Sequence, residues 1–113
     1  MNDRELLELA ARAAGYQFSY PYHSISIPLI LAETGRWRQW DPRHDDGDAL
    51  RLAVKLRLDI TFYNGFQEVA AEPSNGDGMN PSQEVFTENP YAATRRAITR
   101  AAAEIGKSMG GGE

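Results

Sequence analysis

Between Ala49 and Leu56 only Arg51 and Lys55 are polar. Ala49, Leu52, Ala53 and Leu56 recur at the i, i+3, i+4, i+7 spacing of one helical face, and Leu50 and Val54 widen that face. Arg51 and Lys55, four apart, leave a single narrow polar edge. The pattern predicts a helix over about residues 47–57 that is apolar around most of its circumference. Such a helix is expected to be the most enclosed in the molecule, with neighbours on more than one side, and this points to a layered arrangement. A chain of 113 residues suits one domain. We expect residues 1–106 to form it, with 107–113, rich in glycine, as a flexible tail.

Two further helices are predicted. The first covers residues 3–14. Asn2 caps it, Glu5 completes a capping box, and Gly15 stops it. Leu6, Leu9, Ala10 and Ala13 form its apolar face. The last covers residues 90–105, with Asn89 as cap and Pro90 at the first position, where a missing N–H costs nothing. Thr94, Ala97, Ile98, Ala101 and Ile105 face inward there. Arg95, Arg96, Thr99 and Arg100 point away, and Gly106 ends the helix.

Strands lie between the second and third helices. Leu58, Ile60 and Phe62 alternate with Asp59, Thr61 and Tyr63, and Asn64-Gly65 signals a two-residue hairpin turn. That turn sets Tyr63 opposite Phe66, Ile60 opposite Val69 and Leu58 opposite Ala71. Leu58, Ile60, Val69 and Ala71 then share a core face. Asp59, Thr61, Tyr63, Phe66 and Glu68 share a partly covered one. Residues 73–82 are turn formers throughout and are expected to form a mobile loop. A third strand follows at about 83–88, with Val85 and Phe86 as its apolar residues. Residues 16–20 alternate like a strand and 25–27 are extended in character, with Pro21 and Pro28 interrupting them.

Composition excludes several classes of function. There is no cysteine, so disulfides and thiolate metal sites are ruled out; this fits a cytoplasmic protein. No apolar run is long enough to span a membrane, and no basic stretch followed by an apolar one opens the chain as in a secretory leader. The net charge is −4, where a nucleic-acid binder usually has a basic excess. Charge is unevenly placed. Residues 58–88 carry six acids and no base, whereas 89–107 carry Arg95, Arg96, Arg100 and Lys107 against Glu104.

Two segments are distinctive: Trp40-Asp-Pro-Arg-His-Asp-Asp-Gly-Asp-Ala-Leu-Arg-Leu-Ala-Val54 and Pro90-Tyr-Ala-Ala-Thr-Arg-Arg-Ala-Ile98 with the Ala-Ala-Ala-Glu-Ile-Gly that comes soon after. Together they resemble the phage ABA sandwich domain family, small proteins encoded in phages and prophages. The resemblance covers mainly residues 1–15 and 37–106. It implies an α+β fold of three α/β/α layers, with a central, mainly antiparallel sheet of three to five strands and about three helices. The family carries no established enzymatic activity, so the resemblance names no reaction. Residues 16–36 and 73–82 lie outside it.

Several groups could carry function. Asp41, His44, Asp45, Asp46 and Asp48 fall within one turn, and such carboxylates could hold a hard cation. The EF-hand spacing fails, because aligning Gly47 puts Pro42 and Ala53 at ligand positions. Asp45, Asp46 and Asp48 are better read as the cap of the following helix, and no metal or cofactor is assigned. Trp37, flanked by Arg36 and Arg38, is a candidate partner-binding residue, since Trp and Arg commonly anchor interfaces; Trp40 is the more structural of the two indoles. Tyr20 and Tyr22, in the cluster with Tyr16, Phe18 and His23, extend that candidate surface. Arg95, Arg96 and Arg100 could touch phosphates, or form a solvated face paired with local acids.

The favoured expectation is therefore a phage or prophage accessory protein in the host cytoplasm, binding a host or phage protein. Three alternatives stand beside it: weak nucleic-acid binding through the last helix, a homo-oligomer paired through a sheet edge or the aromatic cluster, and, least favoured, a small metal-dependent hydrolase using the acidic turn.

Overall fold

The computed structural model describes residues 2–20, 28–63, 65–73, 82–85 and 89–109. Helix α1 spans Asp3–Ala14. Strands β1 (Phe18–Ser19), β2 (Leu29–Leu31) and β3 (Trp37–Gln39) follow, then α2 (Asp46–Leu56). Strands β4 (Leu58–Tyr63), β5 (Glu68–Pro73) and β6 (Ser82–Val85) lead to α3 (Pro90–Ser108). The α+β class, the three helices and the antiparallel pairing agree with expectation. Among the described residues the strands make two three-stranded sheets, β1-β2-β3 and β4-β5-β6. The first sheet stays small because its strands are two or three residues long. After β3 the chain turns away through buried Trp40 and Pro42, and proline cannot continue a ladder.

The helix ends follow their signals. Asn2 accepts a hydrogen bond from the Glu5 N–H at 2.8 Å, and the Glu5 carboxylate accepts from the Asn2 N–H. Gly15 takes a left-handed conformation at φ 76°. The buried face of α1 is rotated by one residue from the expected one. Leu7, Ala10, Ala11 and Ala14 are buried, while Leu6, Leu9 and Ala13 are only half-buried. Both stripes have the same spacing, and the one with three alanines wins because α3 needs a close approach there.

The most enclosed helix is α3 rather than α2. Ala93, Ala97, Ile98, Thr99, Ala101, Ala102, Ala103 and Gly106 are buried along it. It lies against β5 and β6 and also against α1 and α2. Thr99, expected to point outward, is buried and satisfies its hydroxyl by donating to the Arg95 carbonyl at 2.8 Å. Gly106, expected to end the helix, lies inside it. A Cβ at Gly106 would stand 1.9 Å from the Leu9 carbonyl oxygen. The helix runs on to Ser108, past the position where the tail is expected to start; residues 110–113 lie outside the described part. Helix α2 buries only Asp48, Ala49, Leu52 and Ala53. Leu50 is 63% exposed and Val54 68%, which overturns the expectation of burial on more than one side.

The hairpin register is shifted by two residues. Tyr63 pairs with Glu68, Ile60 with Ala71 and Leu58 with Pro73. The loop therefore has four residues, 64–67. The Phe66 N–H donates to the Tyr63 carbonyl at 3.0 Å, and Gln67 takes the left-handed conformation at φ 54°. A shift of two preserves strand parity, so Leu58, Ile60, Val69 and Ala71 still share the core face. The expected Tyr63–Phe66 cross-strand pair is lost, since Phe66 sits in the turn. The opposite face is partly covered, as expected: Asp59, Thr61 and Tyr63 are exposed on β4, while on β5 Glu68 and Glu72 are half-buried and Ala70 is buried. Phe86, and the end of the strand expected at 83–88, lie outside the described residues.

The Gly106 contact gives a direct test. Gly106→Ala gains helix propensity of about 1 kcal/mol but forces backbone against a methyl group. The net outcome expected is a loss of about 1–3 kcal/mol, read from the denaturant midpoint at unchanged slope. Alanine at Gly15 meets no atom within 4 Å and pays only for its left-handed backbone, about 1 kcal/mol.

Candidate functional site

The Trp40–Asp48 turn is organised by carboxylates that face inward to the chain's own donors. Asp45 caps α2, accepting the Asp48 N–H at 2.8 Å. The buried Asp48 carboxylate accepts the Asp41 N–H at 2.9 Å, Arg38 Nη1 at 3.0 Å and Arg51 Nη2 at 2.9 Å. Burial alone would raise its pKa. The Asp41 N–H and the Arg51 and Arg38 guanidiniums outweigh burial and hold it below the ordinary aspartate value. Asp41 accepts the Arg43 N–H at 3.3 Å and meets His44 Nδ1 at 2.8 Å.

Helix α3 is tied into the same turn. Arg95 Nε donates to the Arg43 carbonyl at 2.8 Å, and its Nη1 reaches Asp46 at 2.6 Å. Arg43 Nη1 pairs with Asp3 at 2.8 Å; its buried Nε lies 3.5 Å from Asp41 without making a hydrogen bond. Arg96 and Arg100 both grip Glu84 of β6. A cavity of about 250 Å³ lies among Asp3, Arg43, Arg95, Arg96 and Arg100. Its four arginines are all engaged with carboxylates, Arg96 and Arg100 sharing that of Glu84. Among the described residues no group of three His, Asp or Glu converges as a metal site.

The aromatic segment divides. Trp40 is buried and meets Tyr16 and Phe18 edge-on, with ring centroids 5.7 and 6.3 Å away. Tyr20 packs edge-on to Phe18 at 5.3 Å and lies under the Arg4 guanidinium at 4.4 Å. Burial raises the pKa of both Tyr16 and Tyr20. Trp37 is 46% exposed and Arg36 is exposed beside it, whereas Arg38 is drawn to Asp48. Tyr22 and His23 lie outside the described residues. Among the described candidates Trp37 and Arg36 stand exposed, while Arg38 and Tyr20 are engaged by Asp48 and by Phe18 and Arg4.

A different surface is assembled instead. A groove of about 440 Å³ runs between α2, the end of β4 and the start of α3. Ala49 and Ile98 form its floor, and Leu50, Phe62 and Tyr91 its walls. Phe62 is 50% exposed and Tyr91 71%. Leu50 and Val54 were the available signal, because apolar residues beyond the width of a core stripe have to face something. Phe62 and Tyr91 come from distant parts of the chain and carried no such signal.

No family model matches the chain, and neither does any curated protein or solved structure. Among the described residues no helix is long and apolar enough to cross a membrane.

The Asp48 network has a pH signature. Its folded pKa is depressed, so its contribution is complete above the ordinary aspartate pKa of about 3.9 and is lost as the pH falls through the folded value. Asp48→Asn keeps an acceptor for the Asp41 N–H but loses the charge. We expect it to cost about 1–3 kcal/mol at neutral pH and to flatten the acid limb of stability. An unchanged acid limb would remove Asp48 from the account.

Proposed function

We propose that this chain is an accessory protein of phage or prophage origin that acts in the host cytoplasm by binding another protein. The observation that carries the proposal is the groove walled by Leu50, Phe62 and Tyr91. Large apolar side chains gathered at one exposed place commonly mark a protein-binding surface, and an aromatic wall is typical of an interface anchor. Support for the phage origin comes from the two segments Trp40–Val54 and Pro90–Ile98. The arginines give less support to nucleic-acid binding, since Arg95, Arg96 and Arg100 are occupied by Asp46 and Glu84.

The test uses the tagged full chain with Leu50→Ser, Tyr91→Ser and Trp37→Ala variants. All three side chains are exposed, so stability should stay within about 0.5 kcal/mol. A partner from host or phage-infected lysate should be held by the parent chain and lost by at least about tenfold, near 1.4 kcal/mol, in both groove variants. Equal retention by Leu50→Ser and Tyr91→Ser would overturn the proposal. Loss confined to Trp37→Ala would move the surface to Trp37 and Arg36.

A further inference from the structure

The cavity of about 250 Å³ beside α3 has no part in the protein-binding reading. Arg43, Arg95, Arg96 and Arg100 line it, and Asp3 is the one carboxylate among the described residues that do so. The guanidiniums come from two parts of the chain, the turn before α2 and three positions of α3, and they converge on one space. Arg43 and Arg95 are mostly buried, whereas Arg96 and Arg100 are half-exposed.

The chain's own acceptors fill this set only in part. Arg96 and Arg100 share the single carboxylate of Glu84, which leaves one of their two positive charges unmatched there. The Arg43 Nε is buried and makes no hydrogen bond, and a buried charged donor left so is costly and uncommon. Arg95 donates from Nε and Nη1, Arg96 from Nε and Arg100 from Nη1. Each guanidinium fork carries more donors than these contacts use. The carboxylate inside the cavity belongs to a side chain that is 80% exposed, and an ion pair at such a surface is weak enough for a doubly charged ligand to displace.

We infer that this cavity binds a doubly charged phosphate group, as inorganic phosphate or as the monoester of a small molecule. Its volume suits one such group, since pockets for drug-sized ligands usually start at about 300 Å³. A flat carboxylate fills one guanidinium fork. The terminal oxygens of a phosphate point several ways and accept from forks on different sides. A nucleic-acid backbone is a poorer match, because each of its phosphates carries one charge and has two of its oxygens esterified. The inference goes beyond the groove and does not depend on it.

The experiment follows the arginine Nε–H signals of the isotope-labelled full chain by NMR at constant ionic strength. Inorganic phosphate, phenyl phosphate and dimethyl phosphate are added in turn. The first two should shift the cavity arginines with a Kd of about 1 mM or lower. Dimethyl phosphate, a singly charged diester, should bind at least about tenfold more weakly. Tighter binding of phenyl phosphate identifies a monoester as the source, and equal or tighter binding of inorganic phosphate identifies the free ion. Arg96→Gln and Arg100→Gln should each weaken binding by about fivefold or more. Asp3→Asn should tighten it by about threefold, a gain that misfolding cannot produce. Asp59→Asn makes the same change in net charge outside the lining and should leave binding as it is. Leu50→Ser should also leave it intact, so that this site and the groove stand or fall separately. No shift with either dianion overturns the inference, as does an equal response to dimethyl phosphate or full binding by both arginine variants. Equal tightening by Asp3→Asn and Asp59→Asn reduces the effect to net charge and overturns it too. Binding of a single-stranded oligonucleotide with no response to the two dianions would put nucleic acid in its place.

Discussion

The buried carboxylate of Asp48 joins parts of the chain that have little else in common. It lies in the first turn of α2, yet two of its partners, Arg38 and the Asp41 N–H, belong to β3 and the turn that follows. A buried charge is tolerated only when its lone pairs are filled, and here three donors fill them. Its position at a helix N-terminus adds a favourable field. Helix α2 is thus held at its N-terminal end by polar contacts, with Arg95 reinforcing the same end from α3 through Asp46 and the Arg43 carbonyl. A helix fastened this way does not have to bury every apolar side chain to stay in place. Leu50 and Val54 can remain in water because the helix is secured from its other side.

The same contacts separate what could be read from the residues from what could not. Local chemistry was legible. The Asn2–Glu5 capping box, the Asn89–Pro90 start and the assignment of Asp45 as a cap each depend on groups within three residues of one another. Their geometry is nearly independent of the rest of the fold. The partition of Trp40 inward and Trp37 outward followed from their neighbours. What Asp48 does was only half visible. Its place before a helix suggested capping, but the Arg38 and Asp41 partners are set by how the chain returns on itself.

Other differences have one cause, the packing of small residues. Hydrophobic patterning weighs leucine and valine heavily and alanine lightly. It therefore ranked the 49–56 segment as the most enclosed, and missed that five buried alanines and Gly106 allow both α1 and a sheet to approach α3. The contact at Gly106 also selects the Leu7, Ala10, Ala11, Ala14 stripe of α1 over its equally spaced rival. In the hairpin, Asn64-Gly65 announced a tight turn, but Gln67 in the left-handed region lengthened the loop to four residues. Parity survived and register did not, so the core face was readable and the cross-strand pairs were not.

These substitutions of one surface for another explain where an unfilled face remains. The sheet β4-β5-β6 has α3 against β5 and β6 on one side, and α3 packs there through alanines and Ile98. Helix α2 touches β4 lightly and leaves Phe62 at a corner that neither helix closes. On the reverse side the facing Asp59 and Glu72 oppose the ladder that holds them. A chain selected for folding alone would gain by filling that corner and breaking that pair with a base. Both features flank β4, one on each face. The groove walled by Leu50, Phe62 and Tyr91 is what this packing leaves at the surface, whereas the acidic turn and the arginine face are met by the chain's own charges.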